Sequence, residues 1–140
     1  MAEFNFSGLE EITLDMQQVA QLPDEIIDAM LNAKADVTAA AQKSVGRMMG
    51  VERTGLTLRS IKKGKIKLKK GQRIIYVTAT GSRKRGEKRV RNAEIAFLNE
   101  FGTRKIKARP FIRTANEQSA EAATAAAMNI YDEWLESHNL

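Results

Sequence analysis

Few side chains in this chain of 140 residues are placed to do covalent chemistry. His138 is the only histidine, and it is the third residue from the end of the sequence. A Ser–His–acid triad would have to use it there, in a segment prone to fray. Glu94 and Glu100 form a candidate carboxylate pair, but acids on a surface element explain such a pair more economically than a glycosidase-like site. Gly81 and Gly86 have the spacing of a phosphate-cradling loop. Glu87 stands where that loop requires lysine, and its carboxylate would repel the phosphate. There is no cysteine, hence no thiol nucleophile, disulfide framework or thiolate zinc site. No acidic cluster has calcium-loop spacing, and no His/Asp set closes a zinc site. The sequence therefore predicts a non-enzyme with no catalytic residues, no metal and no cofactor.

Charge is the stronger signal. The net charge is +6, unevenly spread. Residues 1–42 carry eight acids and one lysine, 43–91 carry 17 bases and two acids, and 92–140 carry five bases and seven acids. The basic side chains singled out as facing a partner or DNA are Lys62, Lys63, Lys65, Lys67, Lys69 and Lys70, followed by Arg83, Lys84, Arg85, Lys88, Arg89 and Arg91. Such clusters release counterions from nucleic acid phosphates. Between residues 43 and 91 the only aromatic is Tyr76, so no stacking platform for single strands is indicated. A solvated, aggregation-resistant strand face or a dock for an acidic protein fits the same pattern.

The elements that position these residues follow from spacing. Length and composition fit one domain over 1–140. Within 1–21, Phe4 and Phe6 alternate as in a short strand or arm, and Leu9, Ile12 and Met16 recur at near-helical spacing. The start lacks the basic and apolar regions of a secretory signal. A long helix is predicted over 23–49, opened by Pro23 and closed by Gly50. Its inner face is Ile26, Ile27, Met30, Ala33, Val37, Ala40, Ala41, Ser44, Val45 and Met48. Lys65–Lys69 alternate basic and apolar like a half-buried strand, Lys70-Gly71-Gln72 is a tight connection, and Arg73–Thr80 is rich in β-branched residues. Together these predict a hairpin.

Residues 81–92 hold too few apolar groups to bury, and read as a mobile basic loop. Residues 93–101 fit either a helix or a strand. A second long helix covers 110–136, with Pro110 at its first position or Thr114 as its cap. Its inner face is Ala115, Ala122, Ala123, Ala126, Ile130, Tyr131 and Trp134. No run reaches the roughly 18 apolar residues of a spanning helix. The expected architecture is α+β: a small, largely antiparallel sheet with a long N-terminal and a long C-terminal helix.

One string stands apart: Ala93-Glu94-Ile95-Ala96-Phe97-Leu98-Asn99-Glu100-Phe101-Gly102-Thr103, then Ala108-Arg109-Pro110-Phe111-Ile112-Arg113-Thr114-Ala115. On physical grounds Gly102 supplies a positive φ for a turn, and Phe101 and Phe111 are large packing anchors. Glu100 has two expected partners, nearby backbone N–H groups or a base such as Arg109. The string resembles the gp-ten-like tail-component family of long-tailed DNA bacteriophages and prophages. Those proteins carry Glu-Phe-Gly-Thr, a short spacer and a Pro-Phe opening the last helix. Thr54-Gly55 and Ser60-Ile61 resemble that family's upstream segment, with Thr57 where leucine is usual there.

The structural motif carried by the resemblance is thus Thr54, Gly55, Glu100, Phe101, Gly102, Thr103, Pro110 and Phe111. The resemblance implies a structural virion protein, a head–tail joining or tail-completion component forming a sixfold ring in the neck. It would be assembled in the host cytoplasm beside other neck, connector and tail-tube proteins, with no membrane. Segments 62–73 and 81–92 would order on docking to neighbours. The alternative is a nucleic-acid-binding module using the basic segment 43–91.

Overall fold

A computed structural model describes residues 2–4, 10–12, 22–51 and 54–138. Seven strands and four helices follow one another along these residues: β1 (Ala2–Phe4), β2 (Glu10–Ile12), α1 (Asp24–Met48), α2 (Leu56–Arg59), β3 (Ile61–Lys63), β4 (Lys67–Lys69), β5 (Gln72–Ala79), β6 (Ser82–Arg85), β7 (Lys88–Arg91), α3 (Asn92–Phe101) and α4 (Phe111–Ser137). The α+β class is as the sequence predicts. The sheet runs β1-β2-β5-β3, with β4 also paired to β5, and every pairing is antiparallel.

Sequence punctuation sets the ends of α1. Pro23 stands at the N-cap with φ −60°, and Asp24 and Glu25 occupy the first turn, where the helix dipole favours acids. At the other end Gly50 takes φ +71°. Its N–H donates to the Arg47 carbonyl at 3.1 Å and the next N–H, Val51, donates to the Gly46 carbonyl at 2.9 Å. This is a Schellman closure, which occupies the last free carbonyls. Val51 is buried beneath it.

β5 is the spine of the sheet. Its Ile75, Val77 and Ala79 alternate into the core with Met30, Leu31 and Ala35 of α1. β3 pairs with one half of β5 (Ile61↔Ala79, Lys63↔Val77) and β4 with the other (Lys67↔Ile74, Lys69↔Gln72). Between Lys63 and Lys67 the outer strand holds one residue more than β5 does, so Gly64–Ile66 bulge and divide the predicted strand. The turn at Lys70-Gly71 has φ +52° and +77°, the two positive values a two-residue hairpin turn requires.

α4 packs chiefly along α1, which itself packs on the sheet, and α4 also meets β1. The two helices are antiparallel: Gln42 Nε2 donates to Asn116 Oδ1 at 3.0 Å, and Gly46 lies against Phe111. Gly46 also lets Leu58 close on the helix, since a Cβ there would collide with a Leu58 methyl. The crossing is built from small groups, Ala35, Thr38 and Gly46 facing Ala115, Ser119, Ala123 and Ala127.

Several expectations are corrected. Segment 81–92 is not a loop: β6 and β7 form a two-stranded hairpin (Ser82↔Arg91, Arg85↔Lys88). Backbone pairing and polar side-chain contacts build it, which is why no apolar signal announced it. Residues 93–101 are helical, in α3. Ile12 lies in strand β2, against its near-helical spacing; Phe6, Leu9 and Met16 fall outside the described residues. β4 is not half-buried, since Leu68 is 69% exposed and its lysine neighbours are exposed too. On α1, Ala40, Ser44 and Met48 face out, because the buried stripe follows Thr38, Gln42 and Val45. On α4, Ala122 is exposed and Ala127 takes the inner place. Pro110 is the N-cap residue, one position before the first helical residue, and Thr114 lies inside the helix.

Candidate functional site

The resemblance-bearing residues close one corner of the molecule. Glu100, on the last turn of α3, is only 3% exposed. Its Oε1 accepts the Ile112 N–H at 2.8 Å and its Oε2 the Arg113 N–H at 3.3 Å. Pro110 offers no side-chain cap, so a carboxylate ten residues upstream satisfies the first donors of α4. Of its two expected partners, Glu100 takes the backbone. Burial pushes its carboxyl above the ordinary range, opposed by the two N–H groups and by the Arg113 charge. Arg109 turns elsewhere, its Nη1 donating to the Gly50 carbonyl at 2.7 Å while its N–H donates to the Asn99 carbonyl at 2.6 Å.

Gly102 has φ +74° and ψ 176°, a region almost restricted to glycine. A Cβ there would stand 2.7 Å from the Ala108 nitrogen and 2.8 Å from the Ile106 carbonyl oxygen. Thr103 holds the following turn, its Oγ1 accepting the Lys105 and Ile106 N–H groups at 3.2 and 3.0 Å. Phe111 is fully buried, as expected of an anchor. Phe101 is not one. It is 43% exposed and packs on Phe97, with ring centroids 4.7 Å apart.

Upstream, Gly55 takes φ +70° before α2, and the Thr54 hydroxyl accepts the Leu56 N–H at 3.3 Å. Arg83 of β6 reaches back to this turn, donating to the Thr57 hydroxyl at 3.1 Å and to Thr54 at 3.4 Å. Thr57 is fully buried, so a hydroxyl in place of leucine gains a guanidinium partner and ties the β6–β7 hairpin to α2. Asn92 holds the base of the same hairpin, its Nδ2 donating to the Thr80 carbonyl at 2.8 Å.

The basic residues divide between two exposed places. Lys65, Lys67, Lys69 and Lys70 line β4 and its approach, while Lys84, Arg85, Lys88, Arg89 and Arg91 stud the β6–β7 hairpin. Lys62 and Lys63 lie on β3, and Lys63 pairs with Asp36 at 2.8 Å. Arg91 meets Glu94 at 3.2 Å. The candidate carboxylate pair is separated, Glu94 outside and Glu100 inside. Gly86, at φ +67°, turns the hairpin instead of cradling a phosphate. His138 stacks on Trp134 at an exposed helix end, beside the Ser137 hydroxyl at 2.9 Å. Among the described residues no group of His, Cys, Asp and Glu could hold a metal, and no helix is long and apolar enough to cross a membrane.

Sequence reasoning missed a groove. Between the β6–β7 hairpin and α3 lies a cavity of about 470 Å³, floored by Ile95 and walled by Leu56, Leu98 and Ile106. These three wall residues are 41%, 38% and 46% exposed. The available signal was α3 itself, whose Ile95, Ala96, Phe97, Leu98 and Phe101 are apolar on more faces than one core can cover. Compared with family models, curated proteins and solved structures, the chain matches none.

Proposed function

We propose that this chain is a structural component of a tailed DNA phage particle, a ring-forming head–tail joining or tail-completion protein of the neck. Its work in this reading is assembly and not catalysis, in a sixfold ring that contacts connector and tail-tube proteins in the virion and is assembled in the host cytoplasm. One observation carries the reading: the Glu-Phe-Gly-Thr and Pro-Phe elements of the family resemblance form a single corner, with Glu100 capping the helix that Pro110-Phe111 opens. A motif that recurs because it is one folded unit is better support than two short strings apart. The exposed hairpins and the apolar groove give such a subunit surfaces to present to neighbours.

Deletion of the gene in the phage or prophage that carries it is the test. The expected result is filled heads and finished tails that do not join. Joined, infectious particles would overturn the reading.

The second reading, nucleic-acid binding, is favoured by the cations that stand exposed on both hairpins. It requires retention on DNA that weakens steeply with salt. No binding at low salt would remove it.

A further inference from the structure

We propose that the groove between the β6–β7 hairpin and α3 receives the acidic C-terminal end of α4 from a second copy of the chain, joining copies head to tail. The closing of such a series into a ring rests on the neck-protein reading above; the contact itself rests on three observations.

The first is charge against charge. Lys84 and Arg85 stand exposed at the mouth of the groove. No lysine or arginine follows Arg113, and the last turns of α4 expose Asp132, Glu133 and Glu136. Opposed surfaces of this kind steer encounter and fix orientation.

The second is an electrostatic conflict within one copy. The C-terminus of a helix carries partial negative charge and favours cations. The last turn of α4 has no basic residue and holds Glu136, with Asp132 and Glu133 in the turn before it. A basic partner at that point relieves the conflict, and the groove mouth is basic.

The third is apolar complementarity across the molecule. Between these acids lie Trp134 and Leu135, both half-buried, and Trp is a frequent anchor where two proteins meet. The groove offers Leu56, Leu98 and Ile106 to receive them. A copy cannot fill its own groove. Asn99, which lines the groove, bonds to Arg109 at the start of α4, and the 27-residue helix carries the acidic end about 40 Å away. Two different patches at opposite ends make a heterologous contact, which closes into a ring or continues as a filament.

The test uses the full chain in sedimentation equilibrium over a concentration series. Lys84→Glu with Arg85→Glu, and separately Asp132→Lys with Glu133→Lys, should each weaken self-association at least tenfold. An equimolar mixture should recover it, because each contact then pairs opposite charges. All four residues are exposed, and circular dichroism checks the fold of each variant. Since the chain has no cysteine, Lys84→Cys with Glu133→Cys in one chain gives an independent readout: a ladder of disulfide-linked copies on oxidation.

Association unchanged in both charge variants, a mixture that does not recover, or no ladder would overturn the contact. In those cases the neck reading still stands or falls by the deletion phenotype. A wild type that stays monomeric throughout the series overturns the contact as well.

Discussion

Replacing Glu100 should weaken the start of α4 by taking the acceptor away from two of its first N–H groups. In the native chain its carboxylate accepts the Ile112 and Arg113 N–H groups, and Pro110 provides no side-chain cap. Glu100→Ala leaves the buried Ile112 N–H without its acceptor, which costs about 1–3 kcal/mol, while loss of a cap costs about 0.5–2 kcal/mol. Removing a buried carboxylate returns part of this, so the expected net loss is about 2–3 kcal/mol. Glu100→Gln keeps one acceptor but turns an amide N–H₂ toward the second N–H, with a loss of about 1–2 kcal/mol.

The pH dependence separates the two forms. Burial first, against the two N–H groups and Arg113, holds the folded carboxyl above its ordinary value. The folded state therefore binds the proton more tightly than the unfolded state, and this group's contribution to stability falls as pH climbs from the unfolded value near about 4.3 through the folded one. Glutamine has no such slope. The wild type's lead over Glu100→Gln should thus be greater at pH 4 than at pH 7, by urea denaturation with both proteins at each pH. A change below about 0.5 kcal/mol in Glu100→Ala, or a lead independent of pH, would refute the reasoning.

Other expectations follow from neighbouring contacts. Gly102→Ala should cost at least about 3 kcal/mol or prevent folding, since left-handed strain of about 1–3 kcal/mol adds to backbone collisions with Ala108 and Ile106; thermal melting measures it. Gly46→Ala gains about 1 kcal/mol of helix propensity yet should destabilise by a net 1–2 kcal/mol, roughly, because Leu58 and Phe111 are both buried and cannot yield. A rise in melting temperature would show that they can. Neutralising Lys84, Arg85, Lys88, Arg89 and Arg91 together should leave the unfolding free energy from urea denaturation within about 0.5 kcal/mol of wild type, as their side chains are exposed. If the wild type binds DNA at all, the same variant should flatten its salt dependence in a filter-binding assay.

Where local chemistry decides the structure, the sequence could be read. Pro23 and Gly50 bound α1 to within a residue or two because each acts through its own backbone, and the β-branched run Ile74–Thr80 places β5. The corner was readable in outline, since Gly102 and Phe111 do what their types suggest. What escaped depends on neighbours distant in sequence. The β6–β7 hairpin is made by backbone pairing that leaves no periodic apolar trace. The groove walls come from α2, α3 and the turn after Thr103, so the exposure of Leu56, Leu98 and Ile106 appears only when three segments meet. Phe101 is no anchor because Ile95 and Ala96 are the buried apolar residues of α3, leaving the Phe101 ring 43% exposed against Phe97. Thr57 is another such case, since Arg83 donates to its buried hydroxyl from 26 residues downstream.

Under the proposed function the chain is built into the head–tail junction of a virus particle. Purified particles from a prophage carrying an epitope-tagged copy, labelled with gold and viewed by electron microscopy, address it most directly. The expected result is label at the meeting point of head and tail. Intact particles that carry no copy of the chain would contradict it.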